Sequence, residues 1–229
     1  MNQSDIKHER EPIRLFHSGF LEYFTHVNPV LVPLLYIPAI SYLLYRGAAY
    51  TGDYRWGVLV LFWITGLAVW SPVEYLLHRF FFHFKPRGQR QERISFLFHG
   101  VHHAQPMVKT RLVMPPMVSI PLAVLFYFLF RLTVTLVILL IDRTGGSMIP
   151  GIDGSIHAAW PVYPLFAGFL SGYVLYDMLH YSMHHFNIKS GYIRKIRRHH
   201  MRHHSLTPDK RFGVTSDIWD RVFGTHVAD

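Results

Sequence analysis

Cysteine is absent from this chain. Without thiolates there is no disulfide, no cysteine-ligated haem and no cysteine-held iron–sulfur cluster. No Gly-x-Gly-x-x-Gly follows a strand-like run, so nothing points to a nucleotide-binding unit, and electrons for any redox chemistry would come from another protein. Charge is sparse: 16% of the 229 residues are charged and 50% are hydrophobic. The apolar residues cluster into long runs, which suggests a membrane protein with a polar cap. The length fits one domain over residues 1–229.

Residues 1–12, MNQSDIKHEREP, read as a flexible arm with no apolar signal-peptide core behind it. From Pro12, the recurrence of Ile13, Phe16, Phe20, Phe24 and Val27 predicts a helix over 13–27 lying on the membrane surface. Val30 to Tyr45 is a short first span carrying Pro33 and Pro38, either kinked or re-entrant. Trp56 to Leu77 is a better span, with Trp56 and Trp70 as aromatic anchors. Val118 to Ile141 is long enough to cross but holds Arg131 in its middle, so a shorter helix ending near Phe130 is the alternative. A Gly- and Pro-bearing loop then leads to a fourth span from about Val162 to Leu179.

Lys and Arg separate sharply on this plan. The N-terminal arm, the loop after the second span and the C-terminal region hold 19 of them, and the two opposite loops hold 3. Positive loops stay in the cytoplasm, which places both termini and every clustered histidine inside. The formal net charge of +9 thereby finds its explanation in orientation and anionic headgroups rather than nucleic acid.

Ten of the 17 histidines follow a pattern that occurs twice: His78 and His83, then His99, His102 and His103; His180 and His184, then His200, His203 and His204. On a helix His99 faces His102 and His103, and His200 faces His203 and His204. Adjacent histidines diverge by about 100° around the axis, so each His-His pair can reach two different metals. His180 and His184 share a face. His78 and His83, five apart, point away from each other on an ideal helix and can share a site only if the helix bulges after His78. His185 and His199 sit beside pattern members but outside the repeated pattern, and read as non-ligands. Single histidines such as His8, His17, His26, His157 and His226 read as interfacial or solvated.

Two structural zincs would want four ligands each, usually with cysteines among them. Ten imidazoles supply five per ion and leave each six-coordinate ion an open position, which suits oxygen-activating iron better without excluding zinc. Glu74 and Asp177, each a helical turn from a histidine, are either acceptors for ligand N–H groups or simple membrane-end carboxylates.

At these residues the chain resembles the membrane fatty acid hydroxylase superfamily, and most closely its fatty acid 2-hydroxylases. The stretches that carry the likeness are EYLLHRFFFHF, FLFHGVHHAQPMVKTRLVMPP, GYVLYDMLHYSMHH, RRHHMRHH and FGVTSDIWDRVFGT. The resemblance implies an all-α integral membrane fold of four transmembrane helices with a cytosolic helical cap over a two-metal centre. It implies those ten histidines as ligands, dioxygen as co-substrate, and hydroxylation next to the acyl carbonyl of a fatty acid or of a ceramide-type lipid. Many eukaryotic relatives carry an N-terminal cytochrome b5 domain, whereas this chain has only a short arm without His-Pro-Gly-Gly. A separate cytochrome b5- or ferredoxin-type donor is therefore expected, docking on Arg194, Lys195, Arg197 and Arg198.

Tyr176 and Asp177, one turn before His180, are placed to orient a lipid head group or, for Tyr176, to pack. Phe212, Trp219 and Phe223 either close over the site or fill the core of the cap. Sterol or carotenoid hydroxylation and desaturation are the neighbouring chemistries. A histidine-rich metal transporter is the non-enzyme alternative, though transport favours ligands near the bilayer midplane and these lie at helix ends.

Overall fold

The computed structural model describes residues 11–51, 56–143, 160–189 and 191–228, and among them every regular element is helical. In chain order these are α1 (Gly19–Tyr23), α2 (Leu31–Thr51), α3 (Trp56–Leu76) continued by a π-helical segment (Leu77–Phe82), α4 (Gln89–Ser95), a second π segment (Phe96–Gly100), α5 (Val101–Ala104), a 3-10 turn (Lys109–Arg111), α6 (Pro116–Arg143), α7 (Val162–His185), α8 (Gly191–Ser205) and α9 (Ile218–Val222). Among the described residues, four stretches are long and apolar enough to cross a membrane: Leu31–Tyr50, Trp56–Phe82, Lys109–Arg143 and Val162–His185.

The spans depart from the sequence reading at their ends. α2 is one continuous helix of 21 residues, with Pro33 in its first turn, where no N–H is needed, and Pro38 inside. α6 runs 28 residues straight through Arg131, so the shorter alternative is not adopted. α7 continues past Leu179 to His185 and carries His180 and His184 in its last turns.

The chain divides into two compact units. One comprises residues 33–70 and 116–173. Its core is aromatic: Trp70 meets Phe169 and Tyr173 edge-on at centroid distances of 5.1 and 5.7 Å, Tyr36 meets Tyr173 at 4.9 Å, and the Tyr36 hydroxyl donates to Ser119 Oγ at 2.8 Å. Leu129, Leu132, Leu136 and Leu140 of α6 remain exposed, as suits a lipid-facing helix surface.

The other unit comprises residues 1–32, 71–115 and 174–229 and carries all the clustered histidines. The expected helix over 13–27 is not formed; only Gly19–Tyr23 is helical. The reason is that the backbone before it is spent on side chains. Leu15 and Phe16 donate to Glu22 Oε2, Ile13 donates to Gln105 Oε1, and Arg111 takes the Ile13 carbonyl. Residues 11–18 are thus strapped across the loop that follows α5, with the buried Arg111 also paired to Glu22 at 2.5 Å.

Candidate metal centre

The ten histidines converge into two groups of five. One is His78, His83, His99, His103 and His203; the other is His102, His180, His184, His200 and His204; one ring nitrogen of each residue lies within 4.8 Å of those of its group. Each sequence run thus lends one histidine to the group dominated by the other. His102 and His103 part company, as do His203 and His204, because neighbours on a helix point about 100° apart.

Local backbone makes this possible. In the π segment after α3 the His83 N–H reaches the His78 carbonyl at 3.1 Å, an i→i+5 bond, and the two rings come within 5.0 Å. That is the bulge which the five-residue spacing requires. The second π segment holds His99, whose Nε2 lies 3.1 Å from Nε2 of both His78 and His103. α8 turns one apolar and histidine-bearing side inward, with Ile196, His199, His200, His203 and His204 buried.

The nitrogen spacing tests whether these residues fit metal ions. His203 and His83 approach at 3.0 Å, His102 and His204 at 3.0 Å, His184 and His200 at 2.9 Å, and His200 and His204 at 3.1 Å, always Nε2 to Nε2. Ligands about 2.1 Å from a common ion lie about 3.0 Å apart on adjacent vertices of an octahedron and about 3.4 Å apart on a tetrahedron. The observed edges match the octahedral figure. His180 Nε2 is buried without a hydrogen-bond partner among the described residues. Burial, reinforced by neighbouring imidazoles, holds His99, His102, His103, His200 and His204 well below the ordinary imidazole value. It also pushes His83 down to about 3 and His203 to about 4. Neutral, convergent imidazoles are the form that binds a metal. The fit is good for two ions with nitrogen-only ligand sets.

The second nitrogens show what sequence reading missed. His78 Nδ1 donates to the Phe212 carbonyl at 2.5 Å and His203 Nδ1 to the Lys210 carbonyl at 2.6 Å. Glu74, buried a turn before His78, accepts from the Val214 and Thr215 N–H groups and the Thr215 hydroxyl at 3.2, 2.7 and 2.8 Å, tying down the same C-terminal turn. Asp177 is buried and accepts from the Met114 N–H at 3.2 Å; Tyr176 is buried with its ring 5.8 Å from that of His180. His199 pairs with Asp220 at 2.9 Å, and His185 lies beside a cavity bordered by Pro12, His26 and Lys109, so neither joins a group. Phe212 packs on the rings of His78, His83 and His203 at 5.9, 5.4 and 5.6 Å. Phe223 stacks on Tyr75 instead, and Trp219 donates to Ser71. His8 and His157 lie outside the described residues.

Four apolar spans together with a paired all-histidine centre define a class, the polyhistidine multi-pass membrane proteins. Within it, the fatty acid hydroxylase model matches residues 63–225, and the chain belongs to the fatty acid hydroxylase family. It is 33% identical over 237 residues to the fatty acid 2-hydroxylase of Rattus norvegicus, covering 95% of this chain and 58% of that protein. It is 32% identical over 213 residues to a dihydroceramide fatty acyl 2-hydroxylase of Arabidopsis thaliana, covering 93% and 79%. With the ceramide very long chain fatty acid hydroxylase scs7 of Schizosaccharomyces pombe it shares 35% over 212 residues, covering 91% and 53%. The chain therefore spans little more than half the length of the rat and fission-yeast proteins. A solved structure of full-length scs7p, in which only the hydroxylase domain is visible, matches with a TM-score of 0.73 at 35% identity over 93% of this chain and 72% of that one.

Proposed function

We propose that this protein is a dioxygen-dependent membrane monooxygenase that hydroxylates fatty acyl chains, free or as the N-acyl chain of a ceramide-type lipid, at the carbon next to the carbonyl. The observation that carries the reading is the convergence of ten imidazoles into two five-nitrogen groups in a chain of this family. His78, His83, His99, His103 and His203 would hold one ion, and His102, His180, His184, His200 and His204 the other. Iron is the ion favoured by a five-imidazole set with octahedral spacing and no thiolate, with zinc able to occupy the same sites. The ions supply the activation of dioxygen that attack on an unactivated C–H bond demands and that side-chain acids and bases cannot provide. One oxygen atom enters the C–H bond; the other leaves as water, taking two electrons from the donor and two protons.

The chain's own contribution is placement. Tyr176 and Asp177, buried a turn before His180, would help orient the head of the acyl chain, and Glu74 would support the ligands through the turn it grips. The excess of Lys and Arg on one side of the spans supports an orientation with both termini in the cytoplasm. Expression in a host without hydroxylated lipids, under oxygen-18 dioxygen, should yield 2-hydroxy acyl chains carrying one labelled oxygen by mass spectrometry. Unlabelled hydroxyl, or none, would sink the reading; 3-hydroxy or unsaturated chains would redirect it to a neighbouring chemistry.

Electrons would come from a separate acidic cytochrome b5- or ferredoxin-type protein. Arg194, Lys195 and Arg198 are exposed on α8, Lys195 paired with Asp217 at 3.2 Å, while Arg197 Nε donates to the Met183 carbonyl; Arg194 and Arg198 lie on the side opposite the α8 histidines. Arg194→Glu with Arg198→Glu should slow donor-dependent reduction about tenfold at low salt, with the difference shrinking as salt rises. Reduction by dithionite should be unaffected.

A further inference from the structure

The two histidine groups are fastened differently. In the first, His78 comes from the π segment that continues α3 and His203 from α8, yet both hand their Nδ1 protons to carbonyls of one short turn, Phe212 and Lys210. Between those residues Arg211 adopts a φ of 60°, a left-handed conformation that a non-glycine residue keeps only when its surroundings enforce it. In the second group, His102, His200 and His204 have buried Nδ1 atoms without a protein hydrogen-bond partner among the described residues.

What enforces the turn is Asp220, a fully buried carboxylate. Oδ1 accepts from the Phe212 N–H at 2.8 Å and the Thr225 hydroxyl at 2.7 Å; Oδ2 accepts from the Gly213 N–H at 2.8 Å and faces His199 Nε2 at 2.9 Å. Burial alone would raise its pKa, but His199, Thr225 and the Gly213 N–H outweigh that and hold it below the usual carboxylate range. Glu74 grips the next two residues, Val214 and Thr215.

From this asymmetry we infer that Asp220, assisted by Glu74, is a positioning residue for one ion only. Through the Phe212 and Lys210 carbonyls it sets the ring orientation and basicity of His78 and His203, and so the affinity of the group that contains them. The two ions are inequivalent, and the second depends on helix packing instead. The inference rests on the reading of the two groups as metal sites.

The full chain, purified in detergent and stripped, is titrated with Zn(II) against a competing chelator and counted by elemental analysis. The wild type should retain about two ions; if it retains none, the metal-site reading itself fails. Asp220→Asn keeps the size but turns one acceptor into a donor, and should lower the affinity for one ion about 10–100-fold while leaving the other unchanged. Adding His203→Ala should cost no further ion, whereas adding His180→Ala should leave none. Both ions held at wild-type affinity, or both weakened alike in protein that is still monodisperse and helical, overturns the inference. If Asp220→Asn does not fold, Glu74→Gln carries the same test from the other end of the turn, and retention of both ions at full affinity overturns it there.

Discussion

His102→Ala and His103→Ala, substitutions at adjacent positions, should each empty a different one of the two proposed metal sites. Each should abolish the proposed 2-hydroxylation, a loss of at least about a thousandfold, because on that proposal the chemistry needs both ions and is worth several kcal/mol. Their metal content will nonetheless separate them. His102 belongs with His180, His184, His200 and His204, and its Nε2 lies 3.0 Å from that of His204, a residue about a hundred positions away. His103 belongs with His78, His83, His99 and His203. His102→Ala combined with His180→Ala should therefore still retain about one ion, as each single variant does, since both changes damage one site. His102→Ala combined with His103→Ala should retain none. If the double variants instead grouped by proximity in sequence, the interleaved assignment would be wrong, and each histidine run would serve its own ion.

That interleaving was half legible in the sequence. The doubled spacing marked the ten histidines, and the rule that adjacent helical residues diverge implied two ions, but which histidine joins which group depends on how α5 and α8 are rotated, and spacing carries no information on rotation. The five-residue gap from His78 to His83 was more informative, because it demanded a bulge and the π segment supplies one. The acceptors for His78 and His203 were invisible for a simple reason: they are backbone carbonyls of Phe212 and Lys210, and any residue type offers one. Asp220 stood in plain view in FGVTSDIWDRVFGT, yet the donors that tie it to the turn, the Phe212 and Gly213 N–H groups, are again backbone groups. The helix expected over 13–27 failed through contacts about ninety residues away, with Gln105 and Arg111, which local periodicity cannot register.

A second signal went unread, and it predicts the largest effect on folding. Gly168-Phe-Leu-Ser-Gly172 on α7 is a small-xxx-small motif, and such motifs let membrane helices approach backbone to backbone. A Cβ on Gly168 would sit 1.9 Å from the Trp63 carbonyl oxygen of α3, and one on Gly66 of α3 would sit 1.8 Å from the Leu165 carbonyl oxygen of α7. One turn on, a Cβ at Gly172 would be 2.5 Å from Trp70. The first two obstacles are main chain, which no rotamer change can clear, so the helices would have to separate and the aromatic contacts of Trp70 with Phe169 and Tyr173 would open with them. Gly168→Val should therefore destabilise this unit by several kcal/mol, on the order of 3 or more, and eliminate the monodisperse peak of detergent-extracted protein. Gly57→Val is the matched control, since a Cβ there meets nothing within 4 Å, and it should accumulate like the wild type. Equal yield and equal thermal stability of the two variants would show that α3 and α7 do not pack through these glycines.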